Sequence, residues 1–406
     1  LSFVLFSELI YLFLFFKARD AGALSLHNDQ HMMWVIMSLF VLFVGYFLAY
    51  RFVNWPKQGV KTIFTAAILF QITFLFIPFL WSNDLYSYIF SSRIMPIFGE
   101  NPYFVPYDNF VQDPLFAQLK TIWAGHTVLY GPLFLHIGGL VNLLGQNNLA
   151  FLTLTFKSLF IGSNILNIFL VYKISKSREA LFLFSLNPLM VLELAGNSHT
   201  ESILLLLLLL SFSVLYKKPI SGFVALIASV LVKYYSLIFL PFYLIHLVKR
   251  GARKLIVALV LGVLLTVGAY LPFWDGFDIF SYLIAYYNGQ YISPSLGIYI
   301  GEMFLGSYNL SFQINTFIFL VVVLILAYKF WLSKARIKEL IFYSFFLYWV
   351  YLLTKSSLIL SWYLIPLVAL GSLCVEWREH QKLAISGIIF TSIYSIALYF
   401  FVRYLL

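Results

Sequence analysis

Charged side chains are scarce in this sequence. Only 10% of its 406 residues are Asp, Glu, Lys or Arg, while 62% are hydrophobic and the mean hydropathy is +0.92. Soluble domains carry about 25% charge, so the composition excludes a soluble globular protein. Several apolar runs approach the ~20 residues that a spanning helix needs, and no alternating barrel pattern is present. The sequence predicts an all-α polytopic membrane protein in a lipid bilayer.

Cysteine is also nearly absent, since Cys374 is the only one. This excludes an internal disulfide and a thiolate metal cluster. The sequence has no DxD spacing, no P-loop and no dinucleotide fingerprint. No metal ligands and no cofactor are therefore assigned, and a divalent cation among the acids described below stays open. The first apolar run lacks the basic start and cleavage site of a signal peptide, so we expect a retained span.

The net charge of +10 does not indicate a nucleic-acid partner. The basic residues lie in short loops between apolar runs. Residues retained on the cytoplasmic side during membrane insertion have this distribution. We therefore expect no nucleic-acid binding.

Loop charge predicts the orientation of the apolar runs. Basic residues after the second run place that loop inside, so the third run delivers Asp84 to the outer face. If residues 133–145 crossed the membrane, the basic residues after the run 149–172 would lie outside. Residues 133–145 are therefore predicted to lie in the membrane plane or to re-enter. The result is about 13 spans, with the N-terminus inside, the C-terminus outside, and outer loops at 82–148 and 273–309.

We expect one transmembrane domain over residues 1–406. Its predicted parts are N-terminal spans at 1–60, a catalytic module at 61–272 that includes the first outer loop, and C-terminal spans at 273–406 that include the second. The apolar runs 219–233 and 234–249 are short for full spans. They form either two spans or a re-entrant pair.

The longest polar interruption, residues 81–132, begins with an acid where an apolar run ends. In the segment Ser82-Asn83-Asp84, each of the three side chains is suited to cap the helix that follows. Capping needs only one of them, and an acid at the membrane surface is suited to act as a general base. We interpret Asp84 as the candidate catalytic base, with capping as the alternative.

A second polar turn, residues 196–201, joins two apolar runs at the same predicted face as Asp84. The titratable groups in and just before this turn are Glu193, His199 and Glu201. Such groups suit contacts with sugar hydroxyls or with a cation. The alternative is a turn that is polar only for solvation.

Four cations occur at unusual places. Lys157 lies within an apolar run, roughly 13 Å below its outer start at about 1.5 Å per residue. An intramembrane cation marks a candidate functional site, and the predicted partner here is a lipid phosphate. Lys233 and Lys355 end outer-facing runs, and Arg93 follows Asp84 in the outer loop. Lys233 or Arg93 is expected to assist at the phosphate, while the alternative for Lys233 and Lys355 is snorkelling to headgroups.

Aromatic residues make up 20% of the chain, and most of them are expected in the core or in an interfacial belt. Trp362, followed by Tyr363, is a candidate for stacking on a sugar, with the belt as the alternative. Tyr130-Gly131-Pro132 is a turn signal, because Pro fixes φ and Gly permits left-handed backbone.

These segments resemble a known family. Residues 83–133 resemble the first outer loop of membrane-embedded GT-C glycosyltransferases, and most closely the polyprenol-phosphate-mannose-dependent α-1,6-mannosyltransferases. The matching elements are Asp84-Leu85-Tyr86-Ser87-Tyr88, Gly99-Glu100-Asn101-Pro102-Tyr103, Asp113-Pro114-Leu115, Trp123 and Tyr130-Gly131-Pro132-Leu133-Phe134. A second and a third match are Asn187-Pro188-Leu189 through His199 to Lys233-Tyr234, and Ser361-Trp362-Tyr363-Leu364. The resemblance covers roughly residues 80–250 well.

The resemblance implies a GT-C-like fold and assigns the role of the family's loop base to Asp84. It also implies substrate contacts from Tyr130, which opens one of the matching elements. Where the family usually has His-Asn-Asp, this chain has His199-Thr200-Glu201. The role of Glu201 is therefore not carried over.

We expect an inverting glycosyl transfer from a polyprenyl-phosphate sugar, with mannose implied by the resemblance. The acceptor is a hydroxyl of a glycan or glycolipid, and the active site lies on the extracytoplasmic face of the cell membrane. The alternative is a transporter or flippase of a lipid-linked sugar, whose usual paired repeats and broken helices the sequence does not indicate. A purely structural protein would not need Lys157 or the acid cluster.

Overall fold

The computed structural model describes residues 2–53, 59–119, 125–281, 284, 294–356 and 359–405, and the regular structure in these residues is helical. The α-helices are α1 (Ser2–Ala21), α2 (Asp29–Phe52), α3 (Val60–Thr73), α4 (Asp84–Arg93), α5 (Pro132–Gly145), α6 (Leu149–Ser175), α7 (Arg178–Ser185), α8 (Pro188–Val191), α9 (Glu201–Leu215), α10 (Pro219–Val230), α11 (Leu240–Lys249), α12 (Ala252–Tyr270), α13 (Leu296–Leu305), α14 (Tyr308–Leu332), α15 (Ile337–Thr354), α16 (Ile365–Cys374) and α17 (Arg378–Leu405). Two π-helical turns, Ile94–Phe98 and Leu192–Gly196, follow α4 and α8. Short 3-10 segments include Tyr234–Phe239 before α11 and Ser361–Leu364 before α16.

Six of the described helices are long and apolar enough to cross a membrane: Asp29–Phe52, Leu149–Ser175, Ala252–Phe273, Tyr308–Leu332, Ile337–Thr354 and Arg378–Tyr399. A seventh span arises if α7 and the segment Pro188–Gly196, which meet at a 54° bend, count as one. Other apolar helices, α5 among them, have only 10–17 residues. The part of the protein that the structure describes is thus all-helical, and its long apolar helices are those of an integral membrane protein. The count of about 13 spans and the in-plane position of α5 stay predictions.

Side chains at several helix starts explain where the helices begin. Asn28 accepts hydrogen bonds from the N–H groups of Gln30 and His31 at the start of α2. Asn148 and Ser177 accept in the same way at the starts of α6 and α7. These oxygens satisfy N–H groups that have no partner within the helix.

Helices α4 and α5 pack closely and fix the outer loop. Asn142 on α5 donates to the carbonyl of Ile89 and to the hydroxyl of Ser92 on α4, at 3.0 Å each. Gly138 permits the approach, because a Cβ there would lie 2.4 Å from the Ser92 hydroxyl oxygen. Helix α4, which begins with Asp84, is therefore held by a helix from the far end of the same loop.

The Tyr130-Gly131-Pro132 element contacts the backbone just after α10, where the helix ends. The N–H groups of Gly131 and Leu133 donate to the carbonyls of Val232 and Leu231, both at 3.0 Å. The element therefore supplies partners for the carbonyls that the end of α10 leaves free.

Replacing Gly131 by alanine should destabilise the protein. A Cβ would lie 2.1 Å from the carbonyl oxygen of Leu231, which is backbone and cannot rotate away. We expect a loss of about 1–3 kcal/mol, seen as a lower unfolding midpoint in detergent. Gly162→Ala is the matched control, since a Cβ there meets no atom within 4 Å. Equal midpoints for the two variants would contradict this account.

Candidate active site

Asp84 is the first residue of α4 and follows a non-helical stretch, residues 74–83, that begins at the end of α3. Asn83 occupies the N-cap position, but its side chain makes no capping bond. Of the three side chains suited to cap this helix, Asn83 therefore has the N-cap position, and Asp84 lies in the first turn. An acid in the first turn still benefits from the positive end of the helix dipole.

His199 lies between Asp84 and a second acid. Its Nδ1 is 3.8 Å from Asp84 Oδ2 and 3.0 Å from the hydroxyl oxygen of Tyr88, which lies one turn after Asp84 on α4. Its Nε2 is 3.0 Å from Glu193 Oε2, on the π-turn after α8. The imidazole thus lies between two carboxylates from different segments. We name this group the carboxylate–histidine chain.

Two side chains hold the Glu193 carboxylate. Asn197 Nδ2 donates to Oε2 at 3.1 Å, and the Ser361 hydroxyl donates to Oε1 at 2.7 Å. The Asn197 oxygen accepts from the N–H groups of Trp81 and Ser82, just before Asp84. Donors from two different segments therefore hold the carboxylate in one orientation.

Aromatic rings enclose the carboxylate–histidine chain. The Trp362 ring stacks on His199 with 3.9 Å between centroids. The Tyr130 ring meets Tyr88 edge-on at 5.1 Å. Trp362 therefore covers one face of the imidazole. Contact between the other face of the Trp362 ring and a sugar stays a prediction.

A buried ion pair lies two residues beyond His199. Lys233 Nζ is 2.5 Å from Glu201 Oε1, and the same ammonium lies 4.7 Å from the ring centroid of Tyr363. The second oxygen of Glu201 and the hydroxyl of Tyr235 are buried, and neither has a hydrogen-bond partner in the described part of the chain. One oxygen of the Glu201 carboxylate therefore pairs with the Lys233 ammonium, and the other has no protein partner among the described residues.

The structure corrects the predicted partner of Lys157. Its fully buried ammonium donates to the backbone carbonyls of Pro78, Ala195 and Gly196, at 3.2, 2.9 and 3.2 Å. These three acceptors use all three of its N–H donors. The side chain therefore holds backbone, and contact with a lipid phosphate is no longer proposed for it.

Arg93 and Lys355 lie apart from the carboxylate–histidine chain. Arg93 forms a buried ion pair with Asp113 at 2.9 Å and donates to the carbonyl of Gln146 and the side chain of Asn147. These contacts join the outer loop to the end of α5, so the guanidinium is not proposed as a phosphate ligand. The Lys355 ammonium lies 3.5 Å from the ring centroid of Phe312.

Three residues of the site were not predicted individually. Tyr88 lies four residues after Asp84, and helical spacing of i, i+4 indicates a shared face. Asn197 and Ser361 fall inside matching elements, but their contacts join segments far apart in the chain. Trp123, one of the matching residues, lies outside the described residues.

Exposure identifies the group that a substrate can reach. The side chain of Asp84 is 11% exposed, whereas those of His199 and Glu193 are fully buried. No group of three His, Cys, Asp or Glu arranged to hold a metal ion occurs in the part of the chain that the structure describes. The arrangement therefore suits proton transfer at the Asp84 carboxylate, with His199 and Glu193 behind it.

The chain is similar to a solved structure and to two curated proteins described below. The crystal structure of an Archaeoglobus fulgidus oligosaccharyltransferase in complex with Zn and sulfate is similar at a TM-score of 0.44 and 14% identity, over 84% of this chain and 52% of that one. Alpha-(1→6)-mannopyranosyltransferase A of Corynebacterium glutamicum is 26% identical over 180 residues, which are 42% of this chain and 36% of the relative. An alpha-(1→6)-mannopyranosyltransferase of Mycobacterium tuberculosis is 30% identical over 149 residues, 35% of this chain and 25% of the relative.

The matches thus span about a quarter to a third of these relatives' lengths. The family model for the N-terminal domain of alpha-(1→6)-mannopyranosyltransferases matches residues 17–249, which include α4, the carboxylate–histidine chain and Lys233. This match confirms the family that the outer-loop elements predict. The chain belongs to the alpha-(1→6)-mannopyranosyltransferase family.

Proposed function

We propose that the protein is a membrane mannosyltransferase that moves mannose from a polyprenyl-phosphate donor to a hydroxyl of a glycan or glycolipid acceptor. The observation that carries the proposal is the partly exposed Asp84 carboxylate, backed by buried His199 and Glu193. Family membership supports the sugar and the linkage. The predicted charge asymmetry of the loops supports an extracytoplasmic site.

In the proposed reaction, Asp84 accepts the proton of the acceptor hydroxyl while the hydroxyl oxygen attacks the anomeric carbon. The bond from that carbon to the phosphate oxygen breaks, and polyprenyl phosphate leaves with the electron pair. A single displacement inverts the anomeric configuration. The leaving phosphate is a stabilised anion, so a strong general acid is not required.

The buried partners of Asp84 suit this role. His199 Nδ1, at 3.8 Å, limits the positions open to the carboxylate, and the Glu193 carboxylate lies 3.0 Å from the opposite ring nitrogen. Oriented groups that do not reorganise during the reaction are the main source of electrostatic catalysis. Lys233, with Glu201 beside it, is the cation proposed to steady the phosphate.

A reconstituted assay tests the proposal. Purified protein in nanodiscs would receive radiolabelled polyprenyl-phosphate mannose and a mannoside acceptor. The expected products are a mannosylated acceptor of inverted configuration and free polyprenyl phosphate. Movement of intact donor across a vesicle membrane, without a mannosylated product, would instead support a transporter and refute the proposal.

The Lys355 ammonium leads to a prediction about how the KM for donor depends on pH. Burial lowers the pKa of this ammonium to about 8, so it loses its charge as pH rises through that value. If Lys355 contacts the donor phosphate, the KM for donor should rise between pH 7 and pH 9. Lys355→Arg keeps its charge and should abolish this rise. The same KM profile in the wild type and the Arg variant would remove Lys355 from the donor site.

A further inference from the structure

The carbonyls bound by Lys157 belong to two separate interruptions of helical structure. Pro78 lies in the non-helical stretch between α3 and α4, and Ala195 and Gly196 end the π-turn after α8. Both interruptions immediately precede residues of the proposed site. Asp84 follows Pro78 by six residues, and His199 follows Gly196 by three.

We infer that Lys157 is a positioning residue that fixes the segments carrying Asp84 and His199 relative to each other. One ammonium accepts no hydrogen bonds and offers three donors, which matches three carbonyls that converge from two segments. Carbonyls without partners inside a membrane protein cost several kcal/mol each. The positive charge also complements the partial negative charge at the end of the π-turn. A neutral apolar side chain offers none of these interactions.

A second contact joins the same two segments. The Asn197 side chain accepts from the N–H groups of Trp81 and Ser82, so it connects the 195–199 turn to the stretch before Asp84. The turn itself is strained, since the buried Ser198 has φ of +64°. Such backbone persists only where its surroundings hold it in place. Lys157 and Asn197 thus each connect the 195–199 turn to the stretch before Asp84.

Amide hydrogen exchange provides a test that does not depend on catalysis. The N–H groups of Asn197 and His199 donate to the carbonyls of Leu192 and Glu193 at 2.8 and 3.2 Å. In Lys157→Met, peptides covering residues 76–84 and 192–203 should exchange at least about tenfold faster. In Lys157→Gln, which keeps two N–H donors, the exchange rates should lie between those of the wild type and of Lys157→Met. Unchanged exchange in the Met variant would overturn the inference.

A matched control comes from the same helix. Asn164 on α6 is buried and donates to the side chain of Gln71 on α3 at 2.9 Å. Asn164→Leu removes a buried polar contact of α6 but leaves the carbonyls of the two interruptions paired. It should leave exchange in residues 192–203 unchanged. Equal acceleration in both variants would indicate general loosening and refute a specific role for Lys157.

Kinetics separate positioning from phosphate binding, and this step rests on the proposed function. Displacement of Asp84 from its productive position should lower kcat by about 10–100-fold in Lys157→Met. The KM for donor should stay within about twofold, because the ammonium does not touch the phosphate. A raised KM with unchanged kcat would overturn the inference. If the wild type shows no transfer while exchange still rises in the variant, the proposed function fails and the positioning role stands.

Discussion

Asp84→Asn is expected to abolish sugar transfer, with a loss of about 10²–10⁴-fold in kcat. Asparagine has nearly the same shape as aspartate, so the start of α4 and its contact with His199 should be retained. Its amide cannot accept the proton of the acceptor hydroxyl. The hydroxyl oxygen then has to attack without a base that removes its proton. Initial rates with labelled donor would measure the loss, and donor binding by the variant should stay close to that of the wild type.

The control for Asp84 is an acid of the same loop. Asp108 is exposed and lies in the 3-10 segment Tyr107–Phe110. Asp108→Asn makes the same charge change without touching the carboxylate–histidine chain, and it should keep full activity. If Asp84→Asn keeps full transfer activity in membranes supplied with donor, Asp84 is not the base. Equal losses in both variants would point to surface charge.

The outcome for Arg93 shows what helix geometry could have predicted. Arg93 is nine residues after Asp84, which is about two and a half turns at 3.6 residues per turn. The two side chains therefore point to opposite sides of α4. Tyr88, one turn after Asp84, shares its face and indeed meets His199. Helical periodicity therefore predicts both placements, whereas closeness along the chain does not distinguish Arg93 from Tyr88.

The contacts of Lys157 could be predicted from the sequence only in part. Its depth in an apolar run correctly indicates a buried cation that needs partners. The partners are backbone carbonyls, and which carbonyls lose their helical bonds depends on the bends near Pro78 and Gly196. Such bends follow from the packing of several helices and leave no local pattern. The contact between Ser361 and Glu193, 168 positions apart, was hidden for the same reason.

The motif at residues 193–201 was more informative. Three titratable groups in one short segment predicted a shared polar site, and the structure brings Glu193 and His199 together at 3.0 Å. It separates the third group, because Glu201 turns toward Lys233 instead. The segment therefore contributes to two adjacent clusters. Spacing alone could not distribute the side chains between them, because the π-turn alters the helical phase.

Breaking the Glu201–Lys233 pair should give the second large effect. Both side chains are buried, at 0% and 7% exposure, and their charged atoms are 2.5 Å apart. In Lys233→Met the Glu201 carboxylate stays buried without its counter-charge, which should cost about 3–5 kcal/mol of stability. Thermal unfolding in detergent measures this loss. As a control, Arg336→Met breaks the exposed Arg336–Glu339 pair and should leave the midpoint nearly unchanged.

The double variant Lys233→Met with Glu201→Gln separates stability from function. It removes both charges, so most of the lost stability should return, because a neutral pair carries no uncompensated charge. Transfer should nevertheless stay low and the KM for donor raised, since the cation proposed to bind the phosphate is missing. Recovery of both stability and activity would mean that the pair only supports the fold. Recovery of stability with low transfer and a raised KM for donor would place the Glu201–Lys233 pair at the donor site, because a purely structural pair would restore both.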